Sequence, residues 1–331
     1  PAISGNLVWA IAAKGSGVVL GGIFHNVNNG GTVLNSAEMI AQWDAADWSA
    51  LGANPNGSLN GDVNAVAVSG TDVYVGGYFT DVDNHCVNLA AADYIAKWDG
   101  ANWSALGSNG AGNGSLNSFV SSIAVSGTDV YVGGNFNNVN NGGTSLTAAD
   151  KIVKWDGANW SALGSNGAGN GSLNAYVDTL AVSGTDLYVG GSFTDVNNGG
   201  TSLAAADYIA KWDGVNWSTL GSNGAGGGSL NSSPYVITVS GANVYVGGAF
   251  TDVNNGGTIL GAADYIAKWD GINWSALGSN GAADSSLPPG SYIAAIAVSG
   301  TDVYAGGYFA NLNNNGTVLG AADNIAKWDA L

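Results

Sequence analysis

The stretch Ser122–Gly134, S-I-A-V-S-G-T-D-V-Y-V-G-G, decides the fold when it is joined to Lys151–Leu163, K-I-V-K-W-D-G-A-N-W-S-A-L. Four apolar segments of strand length, rich in Val, Ile, Tyr and Trp, alternate with turn residues. Ser126-Gly127-Thr128-Asp129 reads as a compact hairpin turn between the first two segments. An Asn- and Gly-rich loop, Asn137 to Thr144, precedes the third segment, and Asp156-Gly157-Ala158-Asn159 turns the chain into the fourth. A Gly/Asn/Ser connector, residues 164–173, leads onward. Nothing in the unit has the length or period of a helix.

The unit recurs. Trp-Asp dipeptides begin at Trp43, Trp98, Trp155, Trp212, Trp269 and Trp328, with spacings of 55, 57, 57, 57 and 59 residues. Gly-Gly pairs beginning at Gly21, Gly76, Gly133, Gly190, Gly247 and Gly306 show the same five spacings, so both marks belong to one structural unit. Six units of four strands predict an all-β fold, a six-bladed β-propeller of four-stranded blades, because repetition buries both faces of each sheet against its neighbours. The expected repeats run approximately over 8–62, 63–117, 118–174, 175–231, 232–290 and 291–331, with an N-terminal strand over 1–7, in a single domain spanning 1–331.

The order V-Y-V-G-G, then I-A-K-W-D-G, then N-W-S-A-L-G resembles a kelch-type blade. It is more similar still to the secreted propeller repeats of the fungal cortical polarity-marker family and its bacterial relatives. The resemblance covers nearly the whole chain and implies a propeller. For function it implies only a range, from scaffold to adhesion module to enzyme. The segment between Gly-Gly-x-Phe and the third strand, Thr194 to Ala206 in the fourth unit, is longer than in those repeats and is the expected place for a surface of this protein's own.

Charge narrows the function. The 331 residues include 7 basic ones, all Lys, against 24 acidic ones, for a net charge of −17. Such a chain has no basic surface to track phosphates, so nucleic acid is excluded as a partner and anionic lipid is disfavoured. No apolar run reaches the ~20 residues of a membrane helix, so no membrane insertion is expected. Twelve Trp, 13 Tyr and 7 Phe supply a large core and argue against disorder. With Cys86 as the single cysteine, there is neither a disulfide framework nor a CxxC-type metal site. The start at Pro1 suits a processed, secreted protein, and an extracellular or cell-surface location is expected.

Three groups of residues are candidates for chemistry. Loop oxygens of Asp81, Asp83 and Asn84, of Asp195, Asn197 and Asn198, and of Asp252, Asn254 and Asn255 precede Asp93, Asp207 and Asp264. Oxygen ligands converging in this way would suit calcium, although the same residue types also build tight turns. Strand-three Asp93 and Lys97 lie about 13 Å apart along one strand, so each must find its partner on a neighbouring strand or blade. His25, His85 and Cys86 form the third group, and His85-Cys86 interrupts the N-N-G-G pattern of the other loops. Tyr94, Tyr208 and Tyr265 suit either stacking on sugars or the core.

The ends carry a further expectation. The sixth unit stops at Lys327-Trp328-Asp329-Ala330-Leu331, before any N-W-S-A-L-G segment, so its blade should lack its own fourth strand. Ala2, Ile3 and Ser4 at one end and Lys327, Trp328 and Asp329 at the other mark the expected assembly edge, because an unpaired strand recruits another copy. With one Glu, two His and no Arg, no catalytic group stands outside the repeat. The expected function is therefore a non-catalytic, extracellular structural or self-assembling surface or filament component, without a cofactor other than calcium. The alternative is a glycan- or protein-binding adhesion module.

Overall fold

The structure is a computed structural model that describes residues 2–52 and 54–329, with side chains described from Leu7 onward. Its fold class is the expected one: all-β, six propeller blades, four strands in each of the first five and three in the sixth. A single 3-10 turn, Gly261–Ala263, is the one helical element among the described residues. Among the described residues no helix is long and apolar enough to cross a membrane. The chain forms two compact units, the first holding blades one to three up to Leu163 and the second blades four to six from Ser172.

Blade two shows how sequence makes a blade. Its strands, Val63–Ser69, Asp72–Gly77, Ile95–Trp98 and Trp103–Ala105, pair as an antiparallel meander. The first turn closes over Gly70, whose φ of 60° is left-handed. A bulge between Val63 and Ala65 re-aims the first strand, and the same bulge recurs in blades three to six. Val73, Val75, Ala96 and Phe79 are buried in the core this pattern produces.

The long segment between strands two and three is not a loop. In blade two, Val82–Asn84 pairs with Val87–Leu89, and blades three to six each carry the same two-stranded ribbon. Its turn is held by a carboxylate or amide: Cys86 N–H donates to Asp83 Oδ1 at 2.6 Å and Gly143 N–H to Asn140 Oδ1 at 2.7 Å. The last Asn of the ribbon then ties it to strand four, as Trp103 N–H donates to Asn84 Oδ1 at 3.0 Å.

Blade one differs at its start. The first strand runs Ala2–Lys14 and pairs along Gly17–Asn29, from Ala2 opposite Asn28 to Lys14 opposite Gly17. The separate N-terminal strand expected over 1–7 is thus corrected: its described residues continue the first strand of blade one. Ala2, Ile3 and Ser4 are paired there, opposite Asn28, Val27 and His25, rather than offered to blade six. Blade six is Tyr292–Ser299, Asp302–Tyr308 and Ile325–Asp329, with the last strand at the sheet edge among the described residues. Pro1, Ala330 and Leu331 of the expected terminal segments lie outside the described residues.

Blades within a unit lock by a knob and a hole. Val63 seats on Gly21 and Val120 on Gly76 in the first unit, and Pro234 seats on Gly190 and Ile293 on Gly247 in the second. A Cβ on Gly76 would run into the Val120 side chain, which is why the first Gly of the Gly-Gly pair is required. The strand-four indole adds a hydrogen bond across three of these joints: Trp103 Nε1–H donates to Leu51 O at 3.0 Å, Trp160 to Leu106 O at 2.8 Å and Trp274 to Leu220 O at 2.7 Å. Trp160→Phe leaves that buried carbonyl without a donor and is expected to cost about 2 kcal/mol. Trp48 Nε1 of blade one is buried without a partner, so Trp48→Phe is expected to cost less than half as much. Denaturant midpoints of the two variants compare the costs directly, and equal losses would contradict this account.

Candidate functional site

The calcium candidates are fasteners for the backbone. Asp93 spans two segments, with Asp81 N–H donating to Oδ1 at 3.1 Å and Gly114 N–H to Oδ2 at 3.1 Å. Asp207 repeats the arrangement with Asp195 N–H and Gly228 N–H, both at 3.0 Å, and Asp264 Oδ1 accepts Asp252 N–H at 2.6 Å. Asp81, Asp195 and Asp252 sit in left-handed backbone at φ 59°, 54° and 54°, where Asp and Asn are tolerated. Asp83 caps its ribbon turn. Among the described residues no three His, Cys, Asp or Glu side chains gather as metal ligands. Burial pushes the Asp264 carboxyl up, and the charges of Asp252 and Asp284 add to this against the opposing Asp252 amide.

The strand-three lysines find their partners on strand two, at the Asp of the S-G-T-D turn. Lys97 lies 3.1 Å from Asp72, Lys154 3.1 Å from Asp129, Lys211 3.0 Å from Asp186 and Lys327 3.3 Å from Asp302. These are partly exposed cross-strand ion pairs of small energetic weight. Of the two places the sequence allows Tyr94, Tyr208 and Tyr265, the structure puts Tyr265 in the core and Tyr94 and Tyr208 partly buried against it. Each has left-handed backbone, with φ of 63°, 64° and 67°, which breaks the strand alternation. Tyr94 and Tyr208 are partly buried against core clusters that include Leu116 and Val120, and Leu230 and Ile237, of the next blade, and Tyr265 is a buried member of the cluster that holds Leu287 and Ile293. His25 Nδ1 lies 3.9 Å from Glu38, whereas the His85 ring hydrogen-bonds Ala101 O at 2.9 Å. The two histidines therefore belong to different blades and different contacts.

Two surfaces depart from the repeat. On blade one, Val8 occupies the knob position of Val63 and Val120 but is 45% exposed where they are fully buried, and Ile11 is 67% exposed where Ile123 and Ile237 are buried. Leu7 and Trp9 add to the same exposed strand. On blade six, Gly306 occupies the hole position, and among the described residues of its own unit no side chain seats on it. Ile325 there is 66% exposed, against 2% for its counterpart Ile266.

The second surface is a run of tyrosines in blades five and six. Tyr292 and Tyr308 stack with centroids 5.8 Å apart at 20°, and Tyr235 meets Tyr292 edge-on at 6.0 Å. Beside Tyr308 lies a cleft of about 330 Å³ bordered by Pro288–Ser291, Tyr308–Ala310, Asp323 and Asn324. A reading that looked for periodicity passed over these residues. Their signal was the departure itself, Pro288-Pro289-Gly290 after Leu287, where Leu59, Leu116, Leu173 and Leu230 are each followed by Asn.

One buried acid also stands out. Asp178 sits at the bulge in the first strand of blade four, and burial pushes its carboxyl up to about 6 from 3.8. The protonated acid is thus favoured in the fold, so stability is unaffected at low pH and falls as pH rises through about 6. Asp178→Asn should raise stability at pH 8 by about 2 kcal/mol, discounted for the part of the carboxyl that water reaches, and change little at pH 4. Denaturant titrations at both pH values check this, and an equal gain at both would refute it.

No family model matches the chain, and no curated protein matches it. Among solved structures, the computationally designed Ika8 protein is similar at 15% identity and a TM-score of 0.45, with 98% of each chain covered. The WD40 β-propeller domain of Doa1 is similar at 10% identity and a TM-score of 0.43, covering 96% of this chain and 82% of that one. An enzyme of Niastella koreensis, GH74, is similar at 14% identity and a TM-score of 0.35, covering 96% of this chain and 61% of that one.

Proposed function

We propose that the protein is a non-catalytic, extracellular structural component that self-associates blade to blade, with the kelch-like repeat serving as the docking module. The observation that carries this reading is the unfilled knob and hole: Val8 and Ile11 exposed on blade one, Gly306 and Ile325 uncovered on blade six. The occupant proposed for each face is a second copy of the chain, presenting the position that joins blades inside each unit; an occupant from within the same chain is the outcome that a single-chain mass at every concentration would show. The Val8 knob of one copy seats on Gly306 of the next, as Val120 seats on Gly76. Such a contact joins two different surfaces and propagates head to tail. Burying the exposed parts of Leu7, Val8, Trp9 and Ile11 is worth roughly 1 kcal/mol apiece. Light scattering should give native masses in multiples of 32.9 kDa that rise with concentration and do not respond to EDTA. A single mass of one chain at every concentration would overturn the reading.

A further inference from the structure

The cleft in blade six opens where the repeat gives up a fastening that it uses elsewhere. In blade two, Thr80 N–H donates to Asn60 Oδ1 at 2.8 Å, and Asn60 Nδ2 donates to Thr80 Oγ1 at 3.3 Å. Asn174 with Thr194 and Asn231 with Thr251 make the same double clasp. Blade six has Pro288 in place of the Asn and Ala310 in place of the Thr, so neither half of the clasp exists there. Both members changed together, and the cleft lies between them.

The walls of the cleft are braced and chemically mixed. Gly290 N–H donates to Tyr265 Oη at 3.1 Å, and Ser291 Oγ–H donates to Pro288 O at 2.6 Å, which fixes the Pro-Pro-Gly loop. Asp323 Oδ1 accepts Asn311 N–H at 3.0 Å. In Asp93, Asp150 and Asp207 the second oxygen accepts a Gly N–H, but Asp323 Oδ2 has no protein donor among the described residues. Tyr308 is 63% exposed at the rim, backed by Tyr292.

We propose that this cleft binds a neutral pyranose unit of a glycan chain. A flat, exposed Tyr308 offers a platform for the C–H face of a sugar ring, and Asp323 Oδ2 with the Asn324 amide offers an acceptor and a donor for adjacent hydroxyls. Tyr292 stacks behind Tyr308 and Tyr235 meets Tyr292 edge-on, so both brace the Tyr308 ring rather than widen the platform. The net charge of −17 selects against uronic, sialylated or sulfated glycans. This site is created by Pro288 and Ala310 and does not require the Gly306 hole, but it borders that hole at Asn324, so assembly could mask it.

The test is calorimetric titration with neutral gluco-, manno- and galacto-oligosaccharides, and with oligogalacturonate as the acidic counterpart. It is run on the native chain and on Val8→Asp, so that a masked site and a failed assembly reading give different results. At least one neutral series should bind, Tyr308→Ala should weaken it at least tenfold, Tyr308→Phe should retain it, and Asp323→Asn should weaken it several-fold with unchanged tryptophan fluorescence. The proposal is overturned if no neutral series binds either protein at millimolar concentration, if Tyr308→Ala binds as tightly as the native chain, or if the acidic oligosaccharide binds better.

Discussion

Replacing Val8 with Asp is expected to collapse the native mass to that of one chain, weakening association at least about 100-fold. The side chain is exposed in a single copy, so the fold loses little. In the associated state a carboxylate would sit in an apolar joint without a partner, and burying it there costs several kcal/mol, more than the ~2.7 kcal/mol that corresponds to 100-fold. Sedimentation or light scattering of Val8→Asp beside Val8→Ala reads the effect. The Ala variant should fall between the Asp variant and the native chain. Association that survives Val8→Asp unchanged would place the contact elsewhere on the molecule.

Two chemically identical substitutions should have opposite consequences. Gly76→Val is expected to destabilise the fold by about 3 kcal/mol, because Val120 already fills the space that the new side chain would need. Gly306→Val has no side chain in its way, the nearest heavy atom to an added Cβ being Asn324 O at 3.7 Å. Its stability should stay within about 1 kcal/mol of the native chain. It should nevertheless abolish association, because the knob of the next copy finds its hole filled. Denaturant midpoints and native masses of the two variants separate the cases. A Gly306→Val protein that still associates would refute the knob-and-hole joint, whatever its stability.

Much of the blade was legible before any coordinates. The Gly-Gly and Trp-Asp marks fix the period, and strand-length apolar runs between turn residues fix the meander, because hairpin turns and alternation act over a few residues. The ribbon over Val82–Leu89 was not legible: its segments of three residues are too short for a periodic signal, and its Asn and Asp residues read as loop. The site residues fared worse for a related reason. Asp81 with Asp93 and the tyrosines at 94, 208 and 265 looked chemical because they recur, yet recurrence is what a structural fastener shows. Tyr308, Pro288 and Ala310 were unremarkable one by one, and they become a site only as a joint departure.

The sequence by itself determined that this protein is all-β, built of six repeats of one strand unit, acidic and poor in catalytic side chains. Local turn chemistry, pattern and composition suffice for that. Only the tertiary structure decided what each repeated residue touches: that Asp93 holds two backbone amides, that Tyr94 packs against the next blade and that residues 2–4 belong to the sheet of blade one. It alone showed that, within their own units, Val8 and Gly306 stand uncovered where their counterparts are filled. These are contacts between residues far apart in the chain, and burial at one position of a repeat depends on the neighbouring blade, which no single unit of the sequence contains.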